Sequence, residues 1–193
     1  MWYFDFRELP ALPDDFALRK RAESQAAEEL LYSMYRTYFG ATVPPLAREA
    51  SGKPYFDAVG APHFSLSHDG SVVACVLNTD APVGLDVCLV RTDAFVRGAY
   101  RHVLRRVYTE MEQREVEEGE DDAARAFRFF CIWSQKEAVT KRTGEGLFGM
   151  PPLSKTQPDT SGVTTFTCKM QTGVYIFSIS DAERNVKMKK TDN

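Results

Sequence analysis

The sequence predicts an α+β protein whose elements follow the order strand, helix, strands, helix, strands. The chain opens on the aromatic-rich stretch MWYFDFREL, which is typical of a strand. Two long stretches show the apolar spacing of helices, and each is followed by short apolar stretches that favour strands. This order hints at a chain built from two similar halves.

The first half contains one predicted helix, from Phe16 to Phe39, with Gly40 as its stop. Its apolar residues recur at i, i+3, i+4 spacing: Leu30, Leu31, Met34, Tyr35 and Tyr38. A loop, VPPLAREASGKPYF, ends in a short extended piece. Three strands are predicted next, in PHFSLSH, SVVACVLN and VGLDVCLV. We expect HDGS to link the first two as a turn and TDAP to link the last two as a hairpin.

The second half begins near Arg91 with a charged stretch in which we expect two short helices. A long helix is predicted from about Asp121 to Thr143, because its start is acidic and Gly144 provides a stop. GVTTFTCKM and GVYIFSIS then predict a closing antiparallel pair, and ERNVKMKKTDN predicts a frayed tail.

The composition excludes several classes of protein. A net charge of −3 offers no global field for nucleic acid, so we expect no nucleic-acid partner. No apolar run approaches the roughly 20 residues that span a bilayer, and the N-terminus does not have the pattern of a signal peptide. We therefore expect no membrane partner and a cytoplasmic location. The cysteines form no C-x-x-C pair, so neither a zinc site nor a disulfide scaffold is indicated: Cys75, Cys88, Cys131 and Cys168.

The motif GKPYF places Lys53 in a Gly-Pro loop, five residues after Arg48. A loop cation beside a glycine can approach a phosphate closely. The alternative is a solvated surface lysine.

The motif FSLSHDG ends a predicted strand with Ser67 and His68. Because neighbours on a strand point to opposite faces, these two residues do not form a nucleophile–base pair. Their hydroxyl and imidazole donors suit phosphate oxygens, although a purely structural role is the alternative.

Two carboxylates lie where apolar residues are expected. Asp86 is in the middle of the apolar strand VGLDV, and Glu137 shares a helix face with Trp133 and Lys141 at i, i+4 spacing. A carboxylate in such a setting is costly unless it is paired or bound to a metal. We expect Asp86 and Glu137 to share Mg²⁺, with pairing to Lys136 or Lys141 as the alternative.

The stretches GKPYF, FSLSH, VGLDV and WSQKEAVTK, in this order and spacing, resemble the motifs of the Sfp-type 4′-phosphopantetheinyl transferases. The resemblance extends from about Ala22 to Leu147. It implies two pseudo-twofold-related α/β halves, 1–90 and 91–193, each with a long helix packed on a small antiparallel sheet and with the active site between them. It also implies Mg²⁺-dependent (or Mn²⁺-dependent) transfer of 4′-phosphopantetheine from coenzyme A to a serine of an acyl or peptidyl carrier protein. The other product is adenosine 3′,5′-bisphosphate, and we expect a monomer.

The resemblance assigns roles to individual residues. Asp86 and Glu137 match the metal-binding carboxylates of the family. Glu137, or a water that it holds, would accept the proton of the incoming serine, and Lys141 would neutralise the leaving or bridging oxygen. Two residues match positions that contact the coenzyme A phosphates, Lys53 and His68, and Arg48 and Ser67 lie beside them. Lys136 matches a lysine that flanks the helix glutamate, and we expect it to contact coenzyme A as well.

Two departures from the family pattern keep other interpretations open. The family often has an acidic residue where this chain has Cys88, and a thiol is a poor Mg²⁺ ligand. A non-catalytic relative that binds coenzyme A or a carrier protein is therefore the alternative, and a plain interaction protein would bind no coenzyme A. The family also commonly has an arginine at the start of its first long helix, where this chain offers Arg19, Lys20 and Arg21.

A basic face is predicted early in the second half. If this segment is helical, Arg97, Arg101 and Arg105 share one side at i, i+4 spacing. The resemblance implies acidic carrier proteins, which this face would attract. The alternative is a solvated charged helix.

Overall fold

The structure, a computed structural model, describes residues 1–10, 12–40, 42–145 and 158–181. Its strands are β1 Trp2–Glu8, β2 Leu46–Arg48, β3 Pro54–Phe56, β4 His63–Asp69, β5 Val72–Asn78, β6 Val83–Leu89, β7 Val163–Met170 and β8 Gly173–Asp181. Its helices are α1 Phe16–Phe39, α2 Thr92–Val96, α3 Arg101–Val107, α4 Glu110–Glu117 and α5 Asp122–Thr143. The predicted α+β class is confirmed. No helix in the described part of the chain is long and apolar enough to cross a membrane.

The first sheet has the antiparallel order β1-β5-β4, and α1 packs on one of its faces. The central strand β5 is buried on both faces, which explains why its sequence is apolar throughout. Val73, Cys75 and Leu77 point towards α1. The alternate residues point towards the second sheet: Val72, Ala74 and Val76.

The second sheet has the antiparallel order β6-β8-β7, and α5 packs against it. Val83, Leu85 and Val87 of β6 join the apolar core between the two sheets. The intervening residues of β6 therefore face α5. Gly84 permits a close approach there, because a Cβ atom on it would lie 1.9 Å from the carbonyl oxygen of Ala138.

Side chains, not backbone pairs, connect β4 to β6. The backbone N–H groups of alternate β6 residues donate to side chains of alternate β4 residues. The three contacts are Leu85 N to Ser65 Oγ (3.0 Å), Val87 N to Ser67 Oγ (3.1 Å) and Leu89 N to Asp69 Oδ2 (2.8 Å). This row of contacts brings the end of the FSLSHD motif alongside Asp86.

Several sequence predictions are confirmed and others are wrong. Both long helices begin and end where predicted, with Asp15 and Asp121 accepting backbone N–H bonds as N-caps and with Gly40 and Gly144 as stops. The closing antiparallel pair is confirmed as β7 and β8. The pseudo-twofold relation and the division at residue 90 stay predictions. The frayed tail lies outside the described residues.

The hairpin predicted between β5 and β6 is wrong. Because β5 is hydrogen-bonded to β1 on one edge and to β4 on the other, it has no free edge for β6. The TDAP segment therefore crosses from one sheet to the other. The charged segment after β6 forms three short helices, not two, because Gly98, with φ +76°, separates α2 from α3. The loop before β4 contains one unpredicted strand, β2, which pairs with β3.

Candidate active site

Asp86 and Lys141 form the centre of the candidate site. Asp86 lies on β6 with its side chain only 8 % exposed, and Lys141 reaches it from the last turns of α5, with Nζ 2.7 Å from Oδ1. Burial lowers the pKa of Lys141, but the charge of Asp86 and the hydrogen bond to it raise that pKa above the ordinary value. Lys141 therefore stays protonated beside a buried carboxylate.

Ser67 connects this pair to β4. Its Oγ accepts hydrogen bonds from Val87 N at 3.1 Å and from Lys141 Nζ at 2.8 Å, and it donates to Asp86 Oδ1 at 3.2 Å. A hydroxyl has one donor and two acceptor positions, so these three contacts use all of them. Ser67 is thus placed to orient Lys141 and Asp86.

Glu137 lies one turn before Lys141 on α5 and is half-buried. Burial, together with the negative charge of Asp86, raises the pKa of Glu137 to about 7, while Lys141 opposes the shift. The two carboxylates predicted to share a metal are therefore close enough to repel each other. Trp133, on the same predicted face, packs instead with Phe129 in the apolar cluster beside α5.

A cavity of about 230 Å³ opens beside Glu137 and Lys141. Lys53 lines its other side, so the structure brings this loop cation to the predicted catalytic residues. Lys53 Nζ also donates to the carbonyl oxygen of Arg142 at 2.9 Å, near the end of α5. Burial lowers the pKa of Lys53, Glu49 raises it, and the net shift is downward.

Like Ser67, the three other predicted contacts do not line this cavity. Arg48 is exposed and donates to the carbonyl oxygen of Gly52. His68 points towards α1, opposite to Ser67, as the strand alternation predicts. Lys136 is fully buried and pairs with Glu112 of α4 at 2.9 Å. A contact between Lys136 and coenzyme A would require this ion pair to open.

Cys88 faces the same side of β6 as Asp86, as predicted. Its Sγ donates to Asp86 Oδ2 at 3.1 Å, and the residue is 5 % exposed beside apolar neighbours such as Ile176. Burial, with the negative charge of Asp86, raises the pKa of Cys88 well above its usual value. Cys88 is therefore a neutral thiol that acts as a hydrogen-bond donor.

The sequence interpretation missed two charged residues that hold the motif in place. Glu23 of α1 is buried and contacts His68, and Asp69 of β4 accepts hydrogen bonds from Leu89 N and Arg91 Nη1. The sequence contains a signal for Glu23, because this carboxylate occupies the apolar stripe of its helix in the way that Glu137 does. It contains no such signal for Asp69, since only the fold brings that residue to Leu89.

The donor set near Asp86 suits a hard divalent cation. Asp86 and Glu137 supply carboxylate oxygens, which Mg²⁺ prefers, while the protonated thiol of Cys88 is a poor ligand. Within the described ranges, no group of three or more His, Cys, Asp or Glu side chains could hold a metal ion. A cation here would therefore depend on water and on phosphate oxygens of a bound substrate for its remaining ligands.

The comparisons with known proteins agree with the motifs. The model of the 4′-phosphopantetheinyl transferase superfamily matches residues 82–187, more than half of the chain, and this protein belongs to that superfamily. The 4′-phosphopantetheinyl transferase AcpT of Salmonella typhimurium is 30% identical over 131 residues, which are 67% of this chain and 64% of the relative. The 4′-phosphopantetheinyl transferase psf-1 of Bacillus pumilus is 31% identical over 99 residues, which are 51% of this chain and 39% of the relative.

A third relative is the 4′-phosphopantetheinyl transferase Sfp of Bacillus subtilis, which is 28% identical over 96 residues. These residues are 50% of this chain and 39% of that relative. In each case the chain spans less than two thirds of the length of the relative that it matches.

Proposed function

We propose that this protein transfers 4′-phosphopantetheine from coenzyme A to a serine of an acyl or peptidyl carrier protein and releases adenosine 3′,5′-bisphosphate. The observation that carries the proposal is the placement of Glu137 and Lys141 around Asp86, on the wall of a cavity that Lys53 also lines. Glu137, Lys141 and Asp86 lie within the segment that matches the superfamily. The arrangement combines carboxylates with cations, as phosphoryl transfer requires.

Asp86 and Glu137 are the residues that would hold Mg²⁺, or Mn²⁺ in its place. A divalent cation bound there supplies neutralisation of the negative charge on the diphosphate of coenzyme A. Burial and, after it, the negative charge of Asp86 raise the pKa of Glu137, and the repulsion from Asp86 supports this assignment because a cation between the carboxylates would relieve it.

Glu137 and Lys141 are the proposed catalytic residues. The pKa of Glu137 is about 7 without metal, and a bound cation would lower it, so the ionised carboxylate would accept the proton of a serine hydroxyl near neutral pH, directly or through a water. Lys141 stays charged beside Asp86 and would stabilise charge on the bridging oxygen as the P–O bond breaks. Ser67 would hold Lys141 in this orientation.

The coenzyme A contacts are proposed to come from both sides of the cavity. Lys53 would approach the phosphates within the cavity, and Arg48 and His68, which lie outside it, would contact phosphate groups that extend beyond it. Lys136 is a further contact in the proposal, after release from Glu112. We further propose that the enzyme acts as a cytoplasmic monomer, with pseudo-twofold symmetry between its halves and without nucleic-acid or membrane partners.

The test is conversion of an apo carrier protein in the presence of coenzyme A and Mg²⁺. The carrier protein should gain the mass of one phosphopantetheine group, and adenosine 3′,5′-bisphosphate should appear in equal amount. Chelation of the metal and the variant Asp86→Asn should each abolish the gain, while Glu115→Gln, an exposed glutamate of α4, should leave it unchanged. The absence of any mass gain with several acyl and peptidyl carrier proteins would reject transfer.

A second candidate is a relative that binds coenzyme A or a carrier protein without transfer. The observation in its favour is Cys88, a neutral buried thiol where the family often has an acidic residue. Calorimetric titration with coenzyme A separates the candidates when it is combined with the conversion assay. Binding without conversion at any Mg²⁺ concentration would support the second candidate, and absence of binding would support a plain interaction protein.

A further inference from the structure

Glu23 lies on the buried face of α1, which packs against the first sheet. It is 3 % exposed, and the other buried residues of the helix are apolar: Ala27, Leu30, Leu31 and Met34. A carboxylate in such a position is costly unless charged or polar partners compensate for its lost hydration. The partners of Glu23 therefore indicate why it is there.

Two potential cations contact the same oxygen of Glu23. Lys20 Nζ lies 3.0 Å from Oε2, and His68 Nδ1 of β4 lies 3.0 Å from it as well. Lys20 sits one turn earlier on α1, with its side chain 48 % exposed, so solvent weakens its contribution. His68 is 26 % exposed and comes from the motif that the superfamily resemblance assigns to coenzyme A.

The contact with Glu23 determines which edge of the imidazole is accessible. The Nδ1 atom of His68 is buried and makes no aligned hydrogen bond with the described residues, so its contact with Glu23 is electrostatic. Because the side chain is nevertheless partly exposed, its exposed atoms belong to the rest of the ring. The second ring nitrogen, Nε2, is then the one left for a ligand.

The charges around His68 come from three elements and oppose one another. Burial lowers the pKa of His68, and Lys20 of α1 and Lys141 of α5 lower it further, so the net shift is downward. Glu23 of α1 is the main group that raises it, with a smaller contribution from Asp69 of β4. Without Glu23, the ring would lose its proton at a lower pH.

We propose that Glu23 is a positioning residue that holds His68 by Nδ1, so that Nε2 donates a hydrogen bond to a phosphate oxygen of coenzyme A. This inference rests on the proposed function, because it names the ligand of His68. A nitrogen that faces a carboxylate carries a proton, so Nε2 carries one only when the ring is the imidazolium ion. Phosphate oxygens accept hydrogen bonds, so Glu23 both orients His68 and extends the pH range in which it binds.

The test compares Glu23→Gln, Glu23→Asp and the control Glu29→Gln, which changes an exposed glutamate of the same helix. An NMR titration of the imidazole signals, with His68 assigned through His68→Gln, reports the ring directly and does not require activity. Glu23→Gln should lower the titration midpoint of His68, and Glu23→Asp should fall between Glu23→Gln and the wild type. Glu29→Gln should leave the midpoint unchanged.

Kinetics provide the second measurement. Glu23→Gln should raise KM for coenzyme A roughly 3- to 10-fold at mildly acidic pH, where the wild-type ring is still protonated, as loss of one charged contact would, and change kcat far less. The pH above which KM climbs should move down, because the ring deprotonates earlier, and Glu23→Asp should recover part of the affinity. An unshifted His68 midpoint, or a fall in kcat with KM unchanged, would overturn the proposal.

The two readouts also separate this inference from the proposed function. If no variant transfers phosphopantetheine, calorimetric affinity for coenzyme A replaces KM, and the NMR titration still decides the role of Glu23. If Glu23→Gln does not fold, Glu23→Asp carries the comparison, because the shorter side chain withdraws the carboxylate from Nδ1. A midpoint in Glu23→Asp equal to that of Glu29→Gln would then overturn the proposal.

Discussion

Lys141 Nζ lies 2.7 Å from Oδ1 of Asp86, and this contact joins the last turns of α5 to the middle of β6. The carboxylate has almost no access to solvent, whereas about a third of the lysine side chain is exposed. The pair therefore places a partly accessible cation beside a buried anion, and the lysine lines a cavity that Glu137 also lines.

Lys141→Ala should reduce both stability and transfer. Removal of the cation leaves Asp86 with Ser67 and Cys88 as neutral donors, and we expect a loss of about 1–3 kcal/mol in the free energy of unfolding. Transfer should slow by roughly 10²-fold, as for the loss of one electrostatic stabiliser. Denaturant titration and the conversion assay measure the two effects. Lys169→Ala, an exposed lysine of β7, is the control, and equal stability of the two variants would contradict the prediction.

Glu137→Gln should leave the fold intact and remove most of the activity. The amide keeps the shape of the side chain but can neither accept the serine proton nor contribute charge to a metal site. We expect the rate to fall by about 10² to 10⁴. The conversion assay at saturating Mg²⁺, with circular dichroism as the check on folding, measures the change. Turnover close to that of Glu115→Gln would exclude the mechanism, though not the fold.

The raised pKa of Glu137 predicts a pH-dependent stability in the absence of metal. Its pKa is about 7 in the folded protein against an ordinary 4.5, so the unfolded state releases the proton first as pH rises. The contribution of Glu137 to stability is therefore present below about 4.5 and is lost as pH rises through about 7. We expect roughly 1–3 kcal/mol of stability to be lost over this window.

The comparison that isolates this effect is between the wild type and Glu137→Gln in a chelating buffer. The stability of Glu137→Gln relative to the wild type should increase with pH across the window. Mg²⁺ should restore the wild type at alkaline pH and have little effect on the variant. A constant difference between the two proteins would show that Glu137 titrates normally.

Reversal of the charges of Arg101 and Arg105 should impair the carrier protein specifically. Both residues lie one turn apart on α3 and line a cavity of about 420 Å³ together with Phe95 and Tyr100. Arg97, which the sequence placed on the same face, instead follows α2 across the break at Gly98. We therefore expect the double variant Arg101→Glu with Arg105→Glu, without a change at Arg97, to be enough to impair use of the carrier protein.

This variant should raise the KM for carrier protein several-fold at low salt and leave coenzyme A affinity unchanged, because rim charges act mainly on association. Steady-state kinetics over a salt series measure it. Arg7→Glu with Arg36→Glu reverses two exposed charges elsewhere and controls for net charge. Unchanged carrier kinetics at low salt would reject a docking role for α3.

Cys88→Glu should make the stability of the protein more dependent on Mg²⁺ and should lower the Mg²⁺ concentration that its activity requires. The Sγ atom lies 3.1 Å from Asp86, so a carboxylate at this position would face Asp86 within a buried site. Without metal we expect the added buried charge to lower the free energy of unfolding by about 2–4 kcal/mol. With metal, a third carboxylate should lower the Mg²⁺ concentration for half-maximal activity. A stable variant with an unaltered Mg²⁺ requirement would show that position 88 does not reach the metal.

Much of the fold could be predicted because its signals are local. The bounds of α1 and α5 follow from apolar spacing, N-cap aspartates and stop glycines within each helix. The pairing of β5 could not be predicted in this way, since strand neighbours depend on which edges other strands have already taken. The break between α2 and α3 depends on Gly98, whose backbone conformation only the packed segment reveals.

The residues of the candidate site could likewise be predicted where their signals are local, and not where they depend on contacts between distant segments. The sequence by itself determined that Asp86 and Glu137 are carboxylates at apolar positions. The repeat of apolar residues in a strand or helix is visible within one segment, so a carboxylate that breaks it can be recognised without knowing what it contacts. The same rule, applied to α1, would have found Glu23. Only the tertiary structure decided that Lys141 pairs with Asp86, that Lys136 pairs with Glu112, and that Glu23 holds His68. These pairs join segments that are distant along the chain, and no local spacing encodes which charges meet when the segments pack.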